Sequence, residues 1–130
     1  MKTASPIRGD IYFADLGDQT GSVQSNSRPV IVIQNDLGNA YSPTTIVCPI
    51  TSATKTRLPT HVYLGTSGGL IKDSLVLCEQ LATINKNQLR KKIGKITDKY
   101  TLNKLNRALT ISLGIVKEYN IWRSKLKKLF

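Results

Sequence analysis

The sequence predicts a small, mainly antiparallel β-barrel with a C-terminal helix, in the α+β class. Three observations carry this expectation. Five short, β-branched apolar runs in the first 80 residues are each bounded by Gly, Pro, Asn, Asp or Ser, as strands joined by turns are. The segments between them are too short for crossover helices, so neighbouring strands must pair antiparallel. Past residue 97 the apolar residues recur at three-and-four spacing, as one face of a helix requires. A length of 130 residues fits one domain, and 40% apolar content is enough for a packed core.

The first strand is Ile11-Tyr12-Phe13, entered from a Gly9-Asp10 turn. A polar connection of thirteen residues, 15–27, follows; this exceeds the usual hairpin range and marks a loop with a function of its own. Residues 29–33 form the second strand, and residues 35–43 hold one helical turn. Strands at 45–50, 60–64 and 74–78 complete the set. Thr97 is the expected cap of a helix beginning at Asp98, whose apolar stripe is Leu102, Leu105, Leu109, Leu113 and Val116. Residues 117–130 read as a basic extension to the 1–116 domain, with Tyr119, Trp122, Leu126 and Leu129 opposite five cations.

The net charge is +11, and its placement is uneven. Residues 1–80 balance six cations against six anions, whereas residues 81–130 carry thirteen cations against Asp98 and Glu118. A field of this kind attracts polyanions, nucleic acid above all. The N-terminus has no apolar stretch behind Lys2, no apolar run approaches the roughly 20 residues of a membrane span, and Cys48 and Cys78 sit within apolar runs. A reduced, cytoplasmic chain with no membrane partner is expected.

Several chemistries are excluded or unsupported. His61 is the only histidine, so a two-imidazole ribonuclease site cannot form. Neither cysteine has an obvious base, which removes the cysteine-triad reading. One His and two Cys cannot close a structural zinc site. Gly68-Gly69 lacks the Lys-Ser/Thr of a phosphate loop, and the carboxylates show no metal-site spacing, so no metal or cofactor is expected. What remains is an Arg and hydroxyl set: Arg28 before Pro29 at the mouth of the second strand, and Thr51 with Ser52 at the end of the third. Arginine offers a rigid fork of donors for phosphate oxygens. RNA carries its own nucleophile, the 2′-OH, and needs only orientation, charge stabilisation and help with proton transfer.

Gly9-Asp10-Ile11-Tyr12-Phe13-Ala14-Asp15-Leu16, Gly21-Ser22, Gln24 and the run RPVIVIQND from Arg28 to Asp36 resemble the MazF/PemK/Kid family of toxin endoribonucleases. Ser42-Pro43-Thr44, Ile50-Thr51, the stretch 58–62, Asp73-Ser74 and Glu79-Gln80-Leu81 continue the pattern in order. The resemblance runs from about Gly9 to Gly114 and is to the Gram-positive branch. It implies an SH3-like barrel, a homodimer, an acidic antitoxin partner and metal-independent cleavage of single-stranded RNA at specific sequences. Arg28 and Thr51 match the catalytic pair, and Ser22, Gln24, Ser52 and Gln80 fall at RNA-binding positions. The alternatives are a non-catalytic, gyrase-poisoning toxin of the CcdB type on the same fold, or a basic nucleic-acid-binding module. Val23 replaces the family's Glu, Ser25-Asn26 replaces a Gly pair, which should stiffen the loop, and Ala82 replaces an Arg of close relatives.

Overall fold

The computed structural model describes residues 5–53 and 57–116. Its strands are β1 (Asp10–Asp15), β2 (Ser27–Val32), β3 (Thr44–Ser52), β4 (His61–Gly65), β5 (Ser74–Leu77), β6 (Ala82–Asn85) and β7 (Leu89–Lys95), with helices α1 (Asp36–Tyr41) and α2 (Lys99–Ser112). All the strand pairs are antiparallel, in the order β4-β5-β3-β2-β1-β7, and β6 adds to β3 beside β5. The five expected strands are all present. β6 and β7 are additional.

β3 organises the sheet. One side pairs with β2; the other pairs with β6 as far as Val47 and with β5 from Ile50 onward. Pro49, which has no N–H to donate, falls in the gap between those two ladders. Alternation along β2 divides the apolar residues between the two faces. Ile31 joins Ile11, Cys48, Ile50, Val62, Leu64 and Val76 in the larger cluster, which α2 covers with Leu105, Ala108 and Leu109. Val30 and Val32 join Ala14, Val47 and Ile84 in the smaller one. Leu105, fully buried, contributes roughly 1.5–3 kcal/mol by leaving water.

Among the described residues the barrel is not closed by a strand ladder. After β4 the chain turns into a 3₁₀ turn at Ser67–Gly69, so no extended run is left to pair with β7. The turn itself seals the seam. Gly68 and Gly69 adopt φ of +65° and +88°, and a Cβ placed on Gly94 of β7 would lie 2.1 Å from the Gly68 carbonyl oxygen. Only glycine permits so close an approach of two backbones.

The helix begins one residue later than the sequence predicts. Asp98, not Thr97, is the cap: its carboxylate accepts the Thr101 N–H at 2.9 Å, and hydrogen bonding from the Thr101 side chain, with that N–H, holds the Asp98 carboxyl below its usual range. An anionic acceptor at the positive helix end is preferred over a hydroxyl. The apolar stripe also ends early. Leu113 and Val116 are exposed because α2 stops at Ser112, and Gly114 then takes a φ of +72°. The expected helical turn is α1, capped by Asn35, whose side chain accepts the Gly38 N–H at 2.8 Å.

Cys48 and Cys78 are free thiols, completely buried and in hydrogen-bonding contact, which together with burial raises the Cys48 thiol far above its usual range. Among the described residues no helix is long and apolar enough to cross a membrane. Tyr119, Trp122, Leu126 and the rest of the expected basic extension from residue 117 lie outside the described residues.

Candidate active site

Arg28 is the second residue of β2, opposite Ala14 of β1 and immediately before Pro29, whose ring restricts the backbone on the strand side. Its Nε donates to the Ser25 carbonyl at 2.8 Å. This single bond sets the plane of the guanidinium, and no other side-chain hydrogen bond engages Arg28 among the described residues. The two terminal amino groups therefore remain to bind an oxyanion. Thr51 and Ser52 close β3, opposite Leu75 and Ser74 of β5. The β2 and β3 ends together bring Arg28, Thr51 and Ser52 into the lining of one cavity of about 570 Å³. Phe13, Lys72, Lys91 and Lys92 share that lining, and none of the four was singled out from the sequence.

Ser22, Gln24 and Gln80 form a second group outside that cavity. Gln80 Oε1 accepts the Gln24 N–H at 2.9 Å, and its Nε2 donates to the Ser22 carbonyl at 3.1 Å. Both ends of the amide are thus committed to the loop backbone between β1 and β2. The neck of that loop is closed by Leu16 N–H to the Asn26 carbonyl (3.0 Å) and Asn26 N–H to the Gly17 carbonyl (2.8 Å). Asn26 sits at φ +63°, the only non-glycine with positive φ among the described residues. Asn is among the few side chains that visit this conformation readily, so a residue other than glycine fits the backbone path here. Gln24 and Gln80 line a smaller cavity of about 210 Å³ with Ala82, Thr83 and Gln88. The buried Gln24 Oε1 has no hydrogen-bond partner there.

His61 is engaged elsewhere. Its Nδ1 accepts the Leu58 N–H at 3.1 Å, so the neutral ring carries its proton on Nε2, 2.9 Å from Glu79 Oε2. Thr60 donates to the other Glu79 oxygen at 3.1 Å. Burial alone would raise the Glu79 carboxyl; the bonds from His61, from the backbone and from Thr60 outweigh it and lower it. Among the described residues no three His, Cys, Asp or Glu side chains converge as a metal site would require.

The sequence matches, over residues 7–113, the family model described as PemK-like, MazF-like toxin of type II toxin-antitoxin system. It is 48% identical over 110 residues to Endoribonuclease MazF of Staphylococcus saprophyticus, covering 83% of this chain and 91% of the relative. It is equally 48% identical over 111 residues to Endoribonuclease EndoA of Bacillus subtilis, covering 84% and 95%. Among solved structures, an endoribonuclease in complex with its cognate antitoxin from a mycobacterial species superposes with a TM-score of 0.73 at 27% identity, covering 87% of this chain and 99% of that one.

Proposed function

The chain belongs to the PemK-like, MazF-like family of type II toxins, and from that premise we propose that it is an endoribonuclease cutting single-stranded RNA without a metal. The observation that carries the chemistry is Arg28 with its Nε pinned on Ser25, sharing one cavity with Thr51. The 2′-oxygen attacks the adjacent phosphorus; the new O2′–P bond forms as the P–O5′ bond breaks. The proton leaves the 2′-OH, and the departing 5′-oxygen gains one. Arg28 neutralises the charge added to the phosphoryl oxygens, where preorganised donors are worth most. Thr51 hydrogen-bonds the scissile phosphate or the 2′-OH. The products are a 2′,3′-cyclic phosphate and a 5′-OH.

Ser52 extends the contact beyond Thr51, while Ser22 and Gln24 present the loop to the bases. Gln80 acts by holding that loop. The protein works as a cytoplasmic homodimer, and an acidic antitoxin segment, drawn by the +11 charge, silences it. A gyrase-poisoning reading is not favoured, since the relatives at 48% identity are endoribonucleases.

Incubation with a long single-stranded RNA in excess EDTA, followed by end mapping, tests the scheme. Cyclic phosphates at a recurrent short sequence are expected; 5′-phosphate ends, or loss of cleavage in EDTA, would overturn it. Thr51→Ala should cripple turnover while RNA binding stays within a few-fold. Gln80→Ala should lower kcat about ten-fold, because two bonds worth about 0.5–1.5 kcal/mol each no longer restrain the loop that orients Arg28. Gln80→Glu, which keeps the acceptor for Gln24 N–H, should fall between. An unchanged kcat in Gln80→Ala would remove the loop-holding role.

A further inference from the structure

The cavity has a wall that this chemistry does not use. Strand alternation should turn every second residue away from any one side, yet Lys91, Lys92 and Ile93, consecutive in β7, all line it. The cause is irregular pairing with β1. Tyr12 faces Lys92 and Ala14 faces Leu89, so Arg90 and Lys91 together stand against Phe13, and a second shift follows between Tyr12 and Ile11. Bulges of this kind re-aim side chains beside functional sites.

The cations on that wall are not equivalent. Lys92 Nζ is 3.3 Å from Asp10 Oδ1, a carboxylate almost wholly buried, so its charge is committed to the fold. Arg90 lies 3.8 Å from Asp15. Among the described residues neither Lys91 nor Lys72 has an ionic partner, and Asp73, next to Lys72, accepts the Tyr63 hydroxyl. Phe13 is 41% exposed in the middle of β1, between the buried Ile11 and Ala14. Lysines on an edge strand deter edge-to-edge pairing, but that explains neither an exposed ring in the same cavity nor Lys72, which comes from the connection before β5.

We propose that Phe13, Lys72 and Lys91 form a nucleotide subsite next to Arg28, with a base stacked on the Phe13 ring and the adjoining phosphate held between the two lysines. The proposal rests on the endoribonuclease reading and names where the flanking nucleotide lies. An aromatic face beside unpaired cations is how unstacked single-stranded bases and their backbone are held. An acidic peptide would use the lysines but gain nothing specific from the ring.

The test uses a single-stranded RNA oligonucleotide with 2′-deoxyribose at the scissile position, which binds without being cut. Lys72→Gln/Lys91→Gln should reduce the slope of log K against log salt by about 0.7, the value for the one phosphate held between them. Phe13→Leu, which keeps an apolar side chain, and Phe13→Ala should leave the slope alone and weaken binding about 5- to 100-fold. That loss should vanish on an oligonucleotide abasic at the stacked position. Thermal melts check folding. An unchanged slope, a Phe13 effect that persists on the abasic strand, or variants that weaken only a poly-glutamate peptide would each overturn the subsite. Cleavage by the unsubstituted protein is followed in parallel: its absence refutes the endoribonuclease reading, whereas cleavage with an unchanged slope refutes the subsite alone.

Discussion

Arg28→Ala is expected to slow RNA cleavage by at least about 100- to 1,000-fold, the usual loss when one preorganised oxyanion donor is removed. The reason is geometric as much as electrostatic. Nε is spent on the Ser25 carbonyl, so the remaining donors are held in a fixed fork at the cavity rather than swept through solvent. Arg28→Lys should recover little, because an ammonium on a flexible stem keeps the charge but neither the fork nor the tether. Stability should change little in either variant, since Arg28 is only half-buried and belongs to neither apolar cluster. Single-turnover cleavage with a matched thermal melt is the measurement. A folded Arg28→Ala protein that cleaves at nearly the original rate would end the assignment.

The second large effect is structural. Gly94→Ala should lower Tm by at least about 10 °C or prevent folding. The added methyl would sit 2.1 Å from the Gly68 carbonyl oxygen and 2.7 Å from its carbon, both backbone atoms. They cannot give way locally: a Cβ on Gly68 would itself meet Ile11 and Ile96 side chains, and one on Gly69 the Ile93 carbonyl, all within 3 Å. Overpacking usually costs about 1–3 kcal/mol, and a backbone collision belongs at the top of that range or above. In a domain of this size, between the small and the larger classes, each kcal/mol moves Tm by about 3–5 °C. A Gly94→Ala protein melting with the original would mean that the seam between turn and strand is looser than its geometry.

Much of this molecule is legible in its residues, and the omissions share a cause. Strands β1 to β5 announce themselves because each is a β-branched run that is buried on at least one face. β7 does not: Leu-Arg-Lys-Lys-Ile-Gly-Lys has no alternation to read, because its bulges break the pleat and four of its seven residues are exposed. β6 is four residues, three of them exposed. The charge excess after residue 80 was plain, but its position beside Arg28 was not, since that depends on β7 crossing back to pair with β1. Arg28, Thr51 and Ser52 meet as their strand positions imply. Gln80 lies 56 residues from the loop it grips, a separation that no local pattern encodes.

The bonds that tie the β1–β2 loop to the body of the protein have one property in common. The neck joins backbone atoms of Leu16, Gly17 and Asn26; Gln80 grips the Ser22 carbonyl and the Gln24 N–H; Arg28 is steered by the Ser25 carbonyl. All of these use the loop's main chain; at positions 18 to 23 only the Gln19 side chain adds a bond among the described residues, its Nε2 donating to the Leu16 carbonyl at 3.2 Å, and positions 20 to 23 at the tip add none. The side chains at the tip are free to drift without moving the guanidinium. In the mechanism proposed above, what is read is thereby uncoupled from how it is cut, so targets can change one tip residue at a time while the chemistry stays intact at every step.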